Sequence, residues 1–446
     1  MLRRMIIELG TYRFNFPGWI VILASFIIAF GVTYIVIPSI IKVSREKHLF
    51  DQPNSRKSHT SSVPTLGGAA VFLGLVLPTT LFGDLSFEHE LKYIITGLLI
   101  LFFTGIKDDI LVISARKKLI AEILAISIIV ILGNIRVTSF HGFLGIEEIP
   151  YIGSILFTIF MFVVIINGFN LIDGIDGLAS GVGILTISCL GIWFILIGDS
   201  SYAAFSFSTV GALAAFFRYN VFSKMNKIFL GDTGSLIIGL IISIFTICFL
   251  ESNLTSSIGA MHLSAPAIAI GLLIVPLIDT LRVFILRLIV GKSPFTADRF
   301  HIHHRLLRLD FSHLHSTLLL LGFNLFIIVL TVLLRHLGNI KMLLIVLPTA
   351  VFITSIPGFF IRYKDRKILH QLQILGNKTW ILPITFTNTI ISRRERIGRA
   401  NALEGSTFPK GQPARRVIEP VLHETFLKYK DDTDFTEPAE LEEYPD

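Results

Sequence analysis

The sequence predicts an all-α, polytopic integral membrane protein with about eleven transmembrane helices, ten at the lower count, and a cytoplasmic C-terminal tail. Three observations predict it. Of the 446 residues, 52% are hydrophobic and only 16% are charged, whereas a soluble chain carries about 25% charged residues. The mean hydropathy is +0.73, and the abundance of Ile, Leu, Val and Phe (38 Phe alone) excludes a disordered chain. Apolar runs approaching the roughly 20 residues a helix needs to cross a bilayer recur from residue 17 to residue 361.

The runs are Pro17–Ile41, Leu66–Gly83, Leu91–Ile106, Leu119–Gly133, Ile152–Ile166, Leu178–Gly198, Ser201–Phe217, Gly234–Leu250, Ala265–Leu281 (continuing as helix to Val290), Ser316–Leu334 and Met342–Ile361. The first is too long for a signal-peptide core, so no cleaved leader is expected. Cys189 and Cys248 both lie inside apolar runs, which speaks against a disulfide framework or a zinc site. No internal repeat stands out.

Lysines and arginines orient the bundle, because basic residues concentrate in cytoplasmic loops. The connections after runs one, three, seven and nine hold Lys42, Arg45, Lys47, Arg56 and Lys57; Lys107, Arg116, Lys117 and Lys118; Arg218, Lys224 and Lys227; and Lys292, Arg299, Arg305 and Arg308. The intervening connections hold only Lys92, Arg136, Arg335 and Lys341. Odd-numbered connections are therefore expected in the cytoplasm, with residues 1–16 outside, 17–361 forming the bundle and 362–446 forming a cytoplasmic tail. Arg3, Arg4 and Arg13 oppose the rule. The acidic, proline-containing end, Lys430–Asp446, reads as disordered. The net charge of +7 thus reflects topology, and nucleic acid is not an expected partner.

Polar residues near a bilayer are costly and point to function, and here they cluster at predicted cytoplasmic ends. SHTSSVPTLGG (Ser58–Gly68) carries His59 and a Gly67–Gly68 pair whose helix-start amides could face an anion. In GIKDDILVISARKKL (Gly105–Leu119), Asp108 and Asp109 repel each other and call for a cation or proton, and Lys117 and Lys118 could hold a phosphate. NGFNLIDGIDGLASG (Asn167–Gly181) places Asn167, Asn170, Asp173 and Asp176 three residues apart, a shared face if the segment is helical. KIFLGDTGSL (Lys227–Leu236) flanks Asp232 with glycines. GKSPFTADRFHIHHRLL (Gly291–Leu307) gathers His301, His303 and His304 with Asp298, Arg299 and Arg305. A transition-metal site would want softer partners for these histidines; donors to a diphosphate fit them better. Carboxylates suited to Mg²⁺, basic groups suited to phosphate and flexible glycines together suit phosphoryl transfer between a soluble and a membrane-borne substrate.

These five segments, in this order over Ser58–Leu307, resemble the polyprenyl-phosphate N-acetylhexosamine-1-phosphate transferase family (glycosyltransferase family 4). The HIHHR segment, with Ile302 between His301 and His303, resembles the branch containing undecaprenyl-phosphate GlcNAc-1-phosphate transferase. The phospho-MurNAc-pentapeptide branch typically has three consecutive histidines. The resemblance implies a reaction: UDP-N-acetylhexosamine and polyprenyl (undecaprenyl) phosphate give polyprenyl-diphosphate-N-acetylhexosamine and UMP, with Mg²⁺ or, in its place, Mn²⁺. It also implies a bacterial inner-membrane location with the site facing the cytoplasm, and a role in starting envelope polysaccharides such as O-antigen or wall polymers. A homodimer stays open.

Position by position, Asp108 and Asp109 match the paired acids, with Asp108 preferred for handling the lipid phosphate. Asp232 matches the Mg²⁺ ligand. Asp173 and Asp176 match positions near nucleotide and metal, and Asp173 is a second metal candidate. Lys118 matches a lysine near the lipid phosphate, and Asn220 resembles an asparagine near the uracil. His301, His303 and His304 match the loop that contacts the diphosphate. His59, Asn167, Asn170, Arg299 and Arg305 are further substrate-binding candidates. Two other classes fit less well. A secondary transporter would carry its acids near the midplane. An intramembrane prenyltransferase has no use for the histidine loop, and a strict DDxxD pattern fails because position 112 is Val.

Overall fold

The computed structural model describes residues 4–9, 12–51, 63–82, 85–255, 264–289, 291 and 301–379. Residues 1–53 and 58–357 form one compact unit; residues 54–57 and 358–446 form a second. In the first, two short strands, β1 (Arg4–Leu9) and β2 (Tyr12–Pro17), pair antiparallel ahead of the helices. Two further short strands, β3 (Phe50–Asp51) and β4 (Val63–Pro64), also pair. The helices are α1 (Gly18–Glu46), α2 (Gly67–Phe82), α3 (Leu85–Leu111), α4 (Ala115–Ser127), α5 (Tyr151–Ile172), α6 (Leu178–Ile197), α7 (Ser200–Phe222), α8 (Gly231–Thr255), α9 (Ala265–Leu272), α10 (Ile274–Ile289), α11 (Ile302–Arg308), α12 (His313–Leu333) and α13 (Asn339–Thr379). The last one runs from the first unit into the second.

Each of the eleven apolar runs coincides with a helix or a broken helix pair. Among the described residues, seven helices are long and apolar enough to cross a membrane, and an eighth span arises if α9 and α10 count as one. The protein is therefore a multi-pass helical membrane protein. The apolar helix α2 has only 16 residues. The ninth run is not the single helix its pattern predicts: α9 and α10 meet at an angle of 78°. Pro276 supplies the reason. It has no N–H for the carbonyl of Leu272, and a proline ring clashes with the carbonyl four residues back. The freed Leu272 carbonyl accepts instead from Thr186 Oγ1 on α6 at 3.1 Å.

Helix α8 is the centre of the bundle. Its membrane-length stretch is 94% buried, compared with 33% for α1 and 17% for α13. Leu236, Ile237, Ile238, Leu240, Ile241 and Phe245 are all fully buried. Helices so apolar gain little from the hydrophobic effect inside lipid, so close packing has to hold them together, and small residues permit it. At Gly68 an added Cβ would stand 2.1 Å from the Gly234 backbone nitrogen, and at Gly105 it would stand 2.3 Å from Thr233 Cα. These two glycines let α2 and α3 close on the first turn of α8, where Asp232 sits.

Candidate active site

The start of α8 is built by backbone pairing and one foreign carboxylate. The Gly67 and Gly68 amides donate to the carbonyls of Phe229 and Leu230 at 2.9 and 2.8 Å, and the Phe229 amide donates to Pro64 at 2.8 Å. The VPTLGG and FLGD segments are thus stitched together. The amides expected to face an anion are spent on this contact. Gly231 turns the chain into α8 with a φ of +73°, and a Cβ there would lie 2.1 Å from the Thr65 carbonyl. The first amides of a helix need partners; Asp109 provides them from α3. Its Oδ1 accepts from the Asp232 amide at 2.7 Å, and its Oδ2 accepts from the Thr233 amide at 3.1 Å and from Thr233 Oγ1 at 2.6 Å.

Asp108 does different work from its neighbour. Its Oδ1 accepts from the Ile113 amide at 2.7 Å, closing the turn after α3, and its Oδ2 accepts from Lys118 Nζ at 3.1 Å. The same Nζ donates to Asp232 Oδ1. Asn170 on α5 donates to that oxygen at 2.7 Å and to Ser235 Oγ at 2.9 Å. One lysine therefore joins Asp108 to Asp232, and an amide fixes the Asp232 rotamer. The Asp232 side chain remains 36% exposed, the most open of the three, compared with 10% for Asp108 and 14% for Lys118. Lys117 is exposed. Asn167 lies deeper and donates to Glu122 Oε2 at 2.8 Å.

Asp173 and Asp176 do not share a helical face. Helix α5 ends at Ile172, and residues 173–177 form turns, with Gly177 at a φ of +78°. Glycines at 174 and 177 and the tight bend explain the stop. Asp176 Oδ2 accepts from Lys227 Nζ at 2.6 Å and from His313 Nδ1 at 2.9 Å, while Thr317 Oγ1 donates to the Asp176 carbonyl at 2.7 Å. These donors depress the Asp176 carboxyl against the opposing effect of burial. Asp173 goes the other way. Burial first, then the carboxylates of Asp232, Asp109 and Asp176, push it well above the usual range. Asn220 is taken up in scaffolding: its Oδ1 accepts from the Gly177 amide at 2.6 Å and its Nδ2 donates to the Ile228 carbonyl at 2.9 Å.

The histidine segment docks on this turn. His301 and His303 are 5% and 1% exposed, and their rings stack with centroids 5.7 Å apart. The His303 ring lies on Gly174, where a Cβ would fall 2.2 Å from Nε2. Burial, then the neighbouring His304, holds the His303 pKa well below its ordinary value. Two buried polar atoms near this junction, His303 Nδ1 and Asp176 Oδ1, have no protein partner. His304 and Arg305 continue on α11. His59 and Arg299 lie outside the described residues.

Several participants escaped the sequence reading: Glu122, Lys227, Asp279, Arg282, His313 and Thr317. Glu122 and Asp279 carried a usable signal, an acid inside an apolar run. His313 carried none, and Lys227, although in the KIFLGDTGSL segment, meets Asp176 only through the fold.

The donor set tests whether a divalent metal fits. Among the described residues, no three of His, Cys, Asp and Glu stand ready to enclose a metal by themselves. Magnesium does not need such a cage, since it takes one or two carboxylates together with substrate phosphates. Asp232 and Asp173 supply oxygen ligands alone, and the crowding that raises Asp173 is the condition a cation relieves. The residues fit the hard-cation class.

A multi-pass bundle that gathers carboxylates, a bridging lysine and amides at a half-open helix start has the make-up of a membrane enzyme for phosphorylated substrates. Residues 91–250 match the profile described as Glycosyl transferase family 4. A Bacillus subtilis (strain 168) protein named as a probable undecaprenyl-phosphate N-acetylglucosaminyl 1-phosphate transferase is 32% identical over 307 residues, covering 68% of this chain and 82% of the relative. The undecaprenyl-phosphate alpha-N-acetylglucosaminyl 1-phosphate transferases of Escherichia coli (strain K12) and Salmonella typhimurium (strain LT2) are each 30% identical over 279 residues, covering 61% of this chain and 72% of the relatives. The chain belongs to glycosyl transferase family 4.

Proposed function

We propose that the protein transfers N-acetylglucosamine 1-phosphate from UDP-N-acetylglucosamine to undecaprenyl phosphate and releases UMP. The reaction takes place at the cytoplasmic face of a bacterial inner membrane and begins an envelope polysaccharide. The observation that carries this reading is the lysine bridge from Asp108 to Asp232 at the start of α8, in a chain related to proteins named for this transfer.

In the reaction, an oxygen of the lipid phosphate attacks the sugar-bearing phosphorus, and the bond to UMP breaks. The chain's own residues set the stage. Lys118 neutralises part of the Asp108–Asp232 charge and offers its ammonium to an arriving phosphate. Asp108 orients the lipid phosphate through this lysine. Asn170 keeps Asp232 in one rotamer. Mg²⁺, or Mn²⁺ in its place, held by Asp232 with Asp173, would offset the diphosphate charge when bound. His301, His303, His304 and Arg305 are the donors on the diphosphate side. Direct attack by the lipid is favoured over a covalent aspartyl intermediate, because Asp108 and Asp109 each commit both oxygens to protein donors.

The test is UMP release by the purified protein from UDP-N-acetylglucosamine, undecaprenyl phosphate and Mg²⁺. UMP should appear only when all three are present. Release without lipid, or no release with any UDP-N-acetylhexosamine, contradicts the reading.

A further inference from the structure

Asp279 is the one acid of α10 that the bundle buries, at 1% exposure, seven residues past the break at Leu272. A carboxylate inside an apolar run is costly, and this one is committed to a single purpose. Its Oδ2 pairs with His301 Nδ1 at 3.0 Å. Its Oδ1 accepts from the Ile302 amide at 2.9 Å and from Arg282 Nη2 at 2.9 Å. Two of the three donors come from the histidine segment, and the third, on α10 itself, anchors the carboxylate. Without the 78° bend, a straight ninth helix would carry Asp279 along a different line.

The contact has a chemical consequence. A carboxylate is acceptor-only, so the imidazole nitrogen facing it bears the proton. With Nδ1–H given to Asp279, Nε2 is the ring atom left for a ligand, in a direction set by two bonds to adjacent residues, His301 and Ile302. This is the arrangement by which outer carboxylates fix the tautomer and orientation of a functional imidazole. The same grip holds the first residue of α11, and with it the His303 ring on Gly174.

We propose that Asp279 is a positioning residue for the transfer reaction: it fixes the His301 tautomer and seats the histidine segment against the Asp173–Gly177 turn. This inference rests on the proposed transfer, in which His301 faces the diphosphate. An asparagine at 279 offers one acceptor oxygen to three donors and turns an N–H toward them.

Asp279→Asn should lower kcat about 10- to 100-fold, the usual cost of an outer-sphere partner, and leave KM for undecaprenyl phosphate within about 2-fold. Because Asp279 acts through His301 and the segment that His301 begins, adding Asp279→Asn to His301→Gln should cost clearly less than the product of the two single losses. A purely structural role would instead multiply the two losses, and that result overturns the proposal. So does an Asp279→Asn enzyme with wild-type kcat. Nitrogen-15 NMR of histidine-labelled wild-type protein, with His301→Gln for assignment, reads the ring directly and needs no folded Asp279 variant. A proton on Nδ1 of His301 is expected, and a bare Nδ1 overturns the proposal. A wild-type protein with no UMP release counts against the transfer reaction alone, since the ring proton is read without substrate.

Discussion

The two ends of α8 carry acids in opposite circumstances. At the far end, Glu251 accepts from the Thr138 amide and from Thr138 Oγ1, both at 2.7 Å. Nearby, Trp193 donates to Ser252 Oγ at 2.9 Å and Tyr202 donates to Glu90 at 2.5 Å. Glu251 and Glu90 are each matched to a donor there, and the groups tie loops and helices together. At the near end, Asp108 and Asp232 meet at Lys118, Asp109 holds the first amides of α8, and Asp173 feels the charges of Asp232 and Asp109. Asp109 has a structural task like that of Glu251, but Asp232 is half-open and Asp173 is crowded by like charge. Polar groups in a membrane protein are not functional by location alone. The unbalanced cluster, in which like charges crowd one another, is the better candidate for a site.

The comparison can be broken or sharpened by substitution. The largest effect is expected from Gly68→Ala. Its Cβ would meet backbone rather than a movable side chain, so α2 and α8 must part; little monodisperse protein should survive detergent extraction by size-exclusion chromatography. Next is Lys118→Gln, which leaves the fold but removes the charge that bridges Asp108 and Asp232. We expect UMP release to fall about 10²- to 10³-fold, as for loss of a central electrostatic donor, with normal membrane levels by immunoblot.

A smaller effect concerns pH. The folded-state pKa of His303 lies below its unfolded value. Between the two values the unfolded state binds more protons, so this contribution to stability is present above about pH 6.5 and is lost as pH falls. The thermal midpoint of the wild type should therefore drop more between pH 7.5 and 5.5, roughly the span of an ordinary histidine titration, than that of His303→Gln. Equal slopes would show that His303 is not held neutral. The smallest effect is expected at the paired end: Glu251→Gln keeps one acceptor for Thr138 and should cost about 1 kcal/mol of stability, with UMP release unchanged.

Much of this was legible in the sequence, for a physical reason. Apolar run length reports lipid burial directly, so every run found its helix. The acids of the site announced themselves because Asp and Asn are out of place beside such runs. What remained hidden depended on how helices meet. The 78° break was foreshadowed only by Pro276, and the run around it stayed apolar. The periodicity of Asn167, Asn170, Asp173 and Asp176 suggested one helical face, yet Gly174 and Gly177 let the chain turn after Ile172. Asp108 and Asp109 are neighbours in sequence, and nothing local distinguishes the residue that meets Lys118 from the one that caps α8. The partners of Asp176, Lys227 and His313, lie 51 and 137 residues along the chain, and only the fold pairs them with it.

The central claim is that the open carboxylate at the start of α8 serves a metal-assisted transfer. Asp232→Asn tests it most directly, measured as UMP release from UDP-N-acetylglucosamine and undecaprenyl phosphate over a full Mg²⁺ titration. The amide keeps the side-chain shape and an oxygen to accept from Asn170, so the protein should accumulate normally while UMP release is abolished at every Mg²⁺ concentration. Wild-type release at saturating Mg²⁺ would contradict the account.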